Sequence, residues 1–509
     1  MSEIITASIT KTQETPHATA LLGRSIVTGS SSLGVAVALE RGLGFLANLL
    51  AARFGGAQVF GSYSLALTTA NNVASYAGAG IGTTSNRFSG QYAEGTPEHT
   101  GLVRALTLVS TQSAMIATVV LWAAAGPLAT RVLLNPSLAH LLRLSSLSAG
   151  GIILLESTKG FLIGQRKFRT LLGLSAVFGA GLIVSIPAAA SKGPAAMILA
   201  YACLAGASVT LCVAGMRRCK RLLDRRRGVA SGPGAWDVWR FGLVQLAAFI
   251  GLNAAGWWTA SLVSRSDPSM LQMGFYAAAT QLRNLFAMAP GLVTQSSYAL
   301  LTEERATQYG GTARVLIGCS VIATLLSIGL AGIGVATLPW TLGTVYGHAF
   351  QPAELPASLA ICTGLVHMSG APASSRLTIL SLKLTGIINA IWTVLVIALT
   401  TGLIRGAPAI QATAILLVTH AISTLLVLVG LKLRAELPGE LVPLSGISLA
   451  AAAVFAAVAY ARTLQPAQSV PLSAFIIAVT AGLLYAGLRY GHKFALAYGG
   501  FSIRGFTVR

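Results

Sequence analysis

The feature that most constrains this chain is a run of apolar blocks, each about 20 residues long, separated by short breaks that are basic or carry Gly and Pro. A helix rising about 1.5 Å per residue needs that length to cross roughly 30 Å of hydrocarbon. In lipid only helices and closed barrels satisfy their own backbone groups, and no block shows the two-residue alternation of barrel strands. Charged residues make up only 10% of the chain, against about 25% in soluble domains. These observations define an all-α integral membrane protein.

The blocks predict about 14 transmembrane helices, at 26–52, 60–82, 102–125, 138–162, 170–190, 195–216, 238–263, 271–297, 313–337, 355–381, 385–404, 408–431, 444–461 and 470–488. The net charge of +21 is spread between the blocks rather than over a soluble domain, which removes the nucleic-acid reading. With the N-terminus cytoplasmic, about 24 of the 35 Lys and Arg fall on the cytoplasmic side. Six fall on the other (Arg53, Arg131, Lys192, Arg265, Arg405 and Arg462), as the positive-inside rule requires. A missed span would invert all later loops and destroy this asymmetry. Both termini are therefore expected in the cytoplasm, the first span as an uncleaved anchor. The five cysteines have no CxxC spacing and suggest neither disulfides nor a metal site.

The longest basic stretch, Arg217 to Arg227, lies between spans six and seven and is followed by the flexible Gly232-Pro233-Gly234. It reads as a topology anchor at an anionic leaflet or as a partner-binding segment. It divides the chain into a cytoplasmic N-terminal segment (1–23), a six-helix lobe (24–216), a basic linker (217–237), a second six-helix lobe (238–431), a C-terminal helix pair (432–488) and a basic tail (489–509). The lobes share a signal. Gly61-Ser62-Tyr63-Ser64-Leu65-Ala66 opens span two and Gly274-Phe275-Tyr276-Ala277-Ala278-Ala279 opens span eight, 213 residues later. The same offset pairs Asn71 with Asn284. Six spans return the chain to its starting side, so the repeats are parallel, with a pseudo-twofold along the membrane normal and a cavity between them.

Ionisable side chains inside spans are costly unless they face a cavity or one another. Glu40 and Arg41 are adjacent, hence about 100° apart on a helix, and each needs another partner. Glu156 and Lys159, three apart, share a face and are either a structural ion pair or part of a site. Arg41, Arg283 and Arg376 give a cationic excess. If Arg41 and Arg283 face water rather than pack or anchor helix ends, they imply an anionic substrate, and the forked guanidinium suits phosphate. Thr68, Thr69, Asn71, Asn72, Ser75, Gln245 and Asn253 either line a wet surface or bond helix to helix. Pro290 and Pro372 are expected kinks. His367 and His420 stand singly, without ligand spacing, and read as structural. There is no Walker-type loop and no cofactor motif, and the outer loops are short, which argues against an enzyme.

The stretch Arg41-Gly42-Leu43-Gly44-Phe45-Leu46, continuing through Leu50-Ala51-Ala52-Arg53-Phe54-Gly55 to Phe60-Gly61-Ser62-Tyr63, resembles the opening of polysaccharide flippases of the multidrug/oligosaccharidyl-lipid/polysaccharide (MOP) exporter superfamily. The Tyr276, Arg283 and Pro290 pattern resembles the family's span eight. The lipid II flippase branch carries a second Arg about six residues after the first. Here Ala47 stands there, so the resemblance points to the Wzx-type exopolysaccharide or O-antigen branch. It implies a V-shaped, two-lobed bundle around a cationic cavity and a substrate of undecaprenyl-pyrophosphate-linked oligosaccharide. That substrate would be flipped across a bacterial inner membrane by alternating access, with a polysaccharide polymerase as a further partner. Arg41 and Arg283 would contact the pyrophosphate, with Lys159 and Arg376 as further cavity cations. Asn71 and Asn284 would meet sugars or backbone, and Glu40 or Glu156 would couple to an ion gradient. The rivals are a cation-coupled drug antiporter of the same superfamily and a membrane glycan polymerase.

Overall fold

The computed structural model describes residues 16–92, 94, 96–221, 233–307 and 312–497. The beginning of the N-terminal segment, the centre of the basic linker (222–232) and the tail beyond 497 lie outside the described residues. What is described is helical: α1 (Pro16–Ala77), α2 (Ile81–Ser89), α3 (Pro97–Pro127), α4 (Leu138–Gly164), α5 (Phe168–Ala190), α6 (Pro194–Arg221), α7 (Ala235–Ser266), α8 (Leu271–Phe286), α9 (Met288–Thr307), α10 (Thr312–Thr341), α11 (Glu354–Leu380), α12 (Leu382–Leu403), α13 (Pro408–Leu433), α14 (Leu441–Leu464) and α15 (Ser469–Ala497). Among the described residues, ten helices are long and apolar enough to cross a membrane by length and composition. One of these, α1, holds two expected spans. Of the expected spans, 238–263, 271–297 and 355–381 fall on helices outside these ten. In α11, Ser, Thr, Gly and His dilute the apolar residues, and the helix is buried by protein from Leu355 to Val366.

Two expected breaks are present and two expectations are corrected. The first two spans are two helical arms that meet at a kink at Gly56, inside the expected break between 52 and 60; its φ of 74° is left-handed and suits a residue without Cβ. The second arm ends at Ala77, and the short α2, not anticipated, follows a turn at Gly78–Gly80. Span eight is interrupted where Pro290 leads one to expect it: α8 stops at Phe286, four residues before Pro290, where the missing N–H and the ring interrupt the hydrogen-bond ladder. Pro372, by contrast, sits inside an unbroken α11.

The repeated segments meet face to face. A Cβ on Gly61 would collide with the Met270 carbonyl and lie 2.6 Å from the Gly274 nitrogen, and a Cβ on Gly274 would collide with the Ala57 carbonyl. Ala57 and Met270 each lie four residues before their own glycine, so the contact is reciprocal and carries the 213-residue offset. Reciprocity of this kind is what a twofold relation between two surfaces produces. The two glycines let α1 and α8 approach at backbone distance. Around this crossing the molecule is sealed at the end that carries the Lys/Arg-poor loops. Phe350 lies edge-on to both Phe60 and Phe275, with ring centroids 6.2 and 6.1 Å away. Arg53 donates to the Thr344 and Val345 carbonyls. Asn135 Nδ2 donates to the Pro268 carbonyl at 3.2 Å. Farther along, α7 packs against the second arm of α1 and against α2: Trp257 Nε1 donates to Thr69 Oγ1 at 3.0 Å, and Arg87 stacks 4.3 Å over the Phe241 ring.

Candidate functional site

A cavity of about 650 Å³ lies between the two arms of α1, α2, α4 and α7. Its walls carry Glu40 and Arg41 from α1, Thr83 and Asn86 from α2, Glu156 and Lys159 from α4, and Asn253 from α7. The close approach of α2 to α4 rests on Gly160, where a Cβ would collide with the Gly82 backbone. At one end the cavity reaches Asn86 and Ile163, beside the basic turn of Arg166, Lys167 and Arg169 that joins α4 to α5.

The partner that Glu40 requires is Lys159. Its ammonium is held between the Glu40 Oε1 and Glu156 Oε1 atoms, the latter at 2.9 Å, and Ser175 of α5 donates to Glu40 Oε2 at 3.2 Å. The spacing of Glu156 and Lys159 on one face therefore makes a real ion pair, and the longer-range bond to Glu40 converts it into a triad. Lys159 is only 12% exposed, whereas Glu156 is 53% exposed and open to the cavity. Two carboxylates and one ammonium leave the triad one charge negative. Arg41, exposed on the cavity wall and without a hydrogen bond or ion pair among the described residues, brings the wall to neutrality. The cationic excess expected from the sequence is therefore not found on this wall.

Arg283 is not among the residues lining this cavity. It sits in the last turn of α8, within electrostatic reach of Tyr276, His367 and His420. Gly364 lets α11 pass close by, a Cβ there lying 3.2 Å from Arg283 Cγ. The two histidines, on α11 and α13, read from sequence as isolated residues. The fold brings their rings edge to face at 5.1 Å, with Trp392 of α12 at the same distance from His420. His420 Nδ1 bonds the Leu416 carbonyl at 2.8 Å, and His367 is solvent-accessible. No carboxylate pairs with Arg283 among the described residues, and none of them form a group of three His, Cys, Asp or Glu side chains able to hold a metal.

The remaining sequence candidates are scattered. Arg376 is buried and donates to Glu436 Oε2 at 2.7 Å, tying α11 to the turn after α13. Asn71 and Asn284 are both exposed, on the second arm of α1 and on α8, and neither lines the cavity. Ser175, Thr83 and Asn86 escaped sequence reasoning, since a single hydroxyl or amide in a helix carries no positional signal.

No protein-family model matches this chain, and no curated protein matches it. Solved structures do. The lipid II flippase MurJ in an inward closed conformation aligns with a TM-score of 0.64 at 13% identity, covering 89% of this chain and 98% of that one. An inward-facing multidrug resistance MATE family transporter of the MOP superfamily gives 0.57 at 14% identity, over 80% of this chain and 96% of the other. An outward-facing conformation of such a transporter gives 0.52 at 11% identity, over 82% and 96%. At these identities the likeness is one of fold: the chain has the multi-pass, all-α fold of the MOP-superfamily transporters.

Proposed function

We propose that this chain is an alternating-access flippase for undecaprenyl-pyrophosphate-linked oligosaccharide units. It would move them from the cytoplasmic to the periplasmic leaflet of a bacterial inner membrane, for exopolysaccharide or O-antigen assembly, with both termini cytoplasmic. The observation that carries the reading is the cavity. An accessible arginine, unpartnered among the described residues, stands beside a locked ion triad, in a space that runs toward the Lys/Arg-rich end, while aromatic and backbone contacts seal the opposite end. The likeness in fold to a lipid II flippase supports it. Cationic side chains in a membrane cavity recognise phosphate, and the forked donors of Arg41 suit it.

In this mechanism Arg41 receives the pyrophosphate in the inward-open state. Arg283, on the other half, meets the same group as the halves close about the α1–α8 crossing. Asn71 and Asn284 serve sugar hydroxyls on the two halves. Lys159 orders the wall, and the triad's carboxylates, Glu156 the more accessible, exchange a proton or cation as access changes. Arg376, already engaged by Glu436, is left out of the ligand set. The test is the sidedness of radiolabelled lipid-linked oligosaccharide in vesicles with and without the protein. Translocation only with protein supports a flippase, and equal sidedness in both removes it.

The two carboxylates in a charge-balanced wall favour one second reading, a cation-coupled antiporter. It calls for gradient-dependent uptake of a fluorescent organic cation by the same vesicles, with no movement of the lipid-linked oligosaccharide.

A further inference from the structure

Helix α4 has two working faces. Ile152, Ile153, Glu156, Lys159, Gly160 and Ile163 face the polar cavity. At 100° per residue, Leu154, Ser157, Thr158 and Phe161 fall on the opposite side. There they floor a second space of about 960 Å³, walled by α3 on one side and by α5 and α6 on the other. Along the α5 wall it runs from Lys167 to Val177, about 15 Å at the helical rise, which is half of the roughly 30 Å hydrocarbon thickness. The groove thus has the length of one leaflet.

Its charge is confined to one end. The lining is mostly apolar, with Val103, Leu106, Leu174 and Val209 interrupted by hydroxyls such as Ser110, Thr111 and Ser208, and its rim residues Val177 and Leu211 are 52% and 65% exposed. At the end beside the basic α4–α5 turn stand its two charged lining residues, Glu94 and Lys167, paired at 2.8 Å. They have opposite signs and are partly exposed, at 47% and 29%. A zwitterionic headgroup offers each of them an opposite charge: its phosphate meets Lys167 and its ammonium meets Glu94.

We propose that this groove is a binding site for a zwitterionic aminophospholipid, with an acyl chain between α3 and the α5–α6 pair and the headgroup between Glu94 and Lys167. The site is separate from the polar cavity, which lies across α4. The inference needs only that the bundle sits in a membrane, so it stands or falls independently of the transport reading.

The experiment uses the full-length protein in nanodiscs containing phosphatidylethanolamine and phosphatidylglycerol. A phosphatidylethanolamine with a diazirine near the acyl terminus is the probe, and adducts are mapped by peptide mass spectrometry. The expected result is labelling of 103–111 and 208–213 several-fold above that of the exposed apolar surface at 115–122. Gly173→Trp should remove the enrichment by filling the groove, since a Cβ there meets nothing within 4 Å. Thr107→Trp, from the opposite wall, should do the same if the first variant does not fold. Glu94→Gln should reduce labelling by the ethanolamine probe and leave labelling by a phosphatidylglycerol probe unchanged. Equal labelling of groove and outer surface would overturn the proposal. So would stronger labelling by phosphatidylglycerol, or enrichment only with a photoreactive prenyl phosphate, which would give the groove to a substrate tail.

Discussion

The two halves of the molecule meet through matched glycines but hold their membrane-embedded charge in opposite ways. In the first half Lys159 is locked between Glu40 and Glu156, and Arg41 stands beside them without a partner among the described residues. In the second, Arg283 lies among Tyr276, His367 and His420, with no carboxylate paired to it among the described residues. A reciprocal backbone contact therefore does not bring a matching electrostatic plan with it. One half carries a self-neutralising wall, and the other keeps a cation whose counter-ion must come from elsewhere. An anionic substrate reaching both halves would supply it.

That difference is open to attack by substitution. Lys159→Met strands two carboxylates, and breaking a buried pair from one side costs about 3–5 kcal/mol. Glu156 is half exposed and recovers some hydration, so the lower figure applies. The apparent melting temperature in detergent should fall accordingly, and adding Glu40→Gln should restore part of the loss. Next in size are Gly61→Ala and Gly274→Ala, each of which drives a Cβ into facing backbone. Overpacking of this kind costs about 1–3 kcal/mol, and the reciprocity of the contact calls for similar losses in both variants. Unequal losses would show that the crossing is not equivalent from its two sides. Glu436→Gln ranks with the glycine variants: it takes the carboxylate from the buried Arg376, but the amide oxygen can still accept from the guanidinium, so the loss should be about 1–3 kcal/mol. Smaller still is Arg283→Met, which orphans no partner charge. Its stability should stay within about 1 kcal/mol of wild type or rise, since replacing a buried charge with an apolar side chain is often neutral or favourable. A large loss would mean that Arg283 is a structural residue.

Much of this fold is legible because the signals are local. Apolar block length placed the helices, and the Gly61 and Gly274 segments singled out by their likeness are the ones that meet reciprocally. The Glu156–Lys159 pair followed from i,i+3 spacing alone. What stayed hidden depends on packing between distant helices. Glu40 and Lys159 are 119 residues apart, and nothing in either span marks the other as its partner. His367 and His420 look solitary because each lies alone on its own helix. The short α2 lies beside apolar sequence, where composition continues across a change in backbone direction. The charge balance of the cavity was missed because counting intramembrane residues sums over the whole bundle, whereas a cavity wall gathers only those turned toward it.

The central claim is that free arginines on both halves serve one anionic substrate. Its most direct test is translocation of radiolabelled lipid-linked oligosaccharide in vesicles by Arg41→Ala and Arg283→Ala, measured at protein levels matched to wild type. The expected result is loss of translocation in both variants with the fold retained. Translocation at the wild-type rate by either one would contradict it.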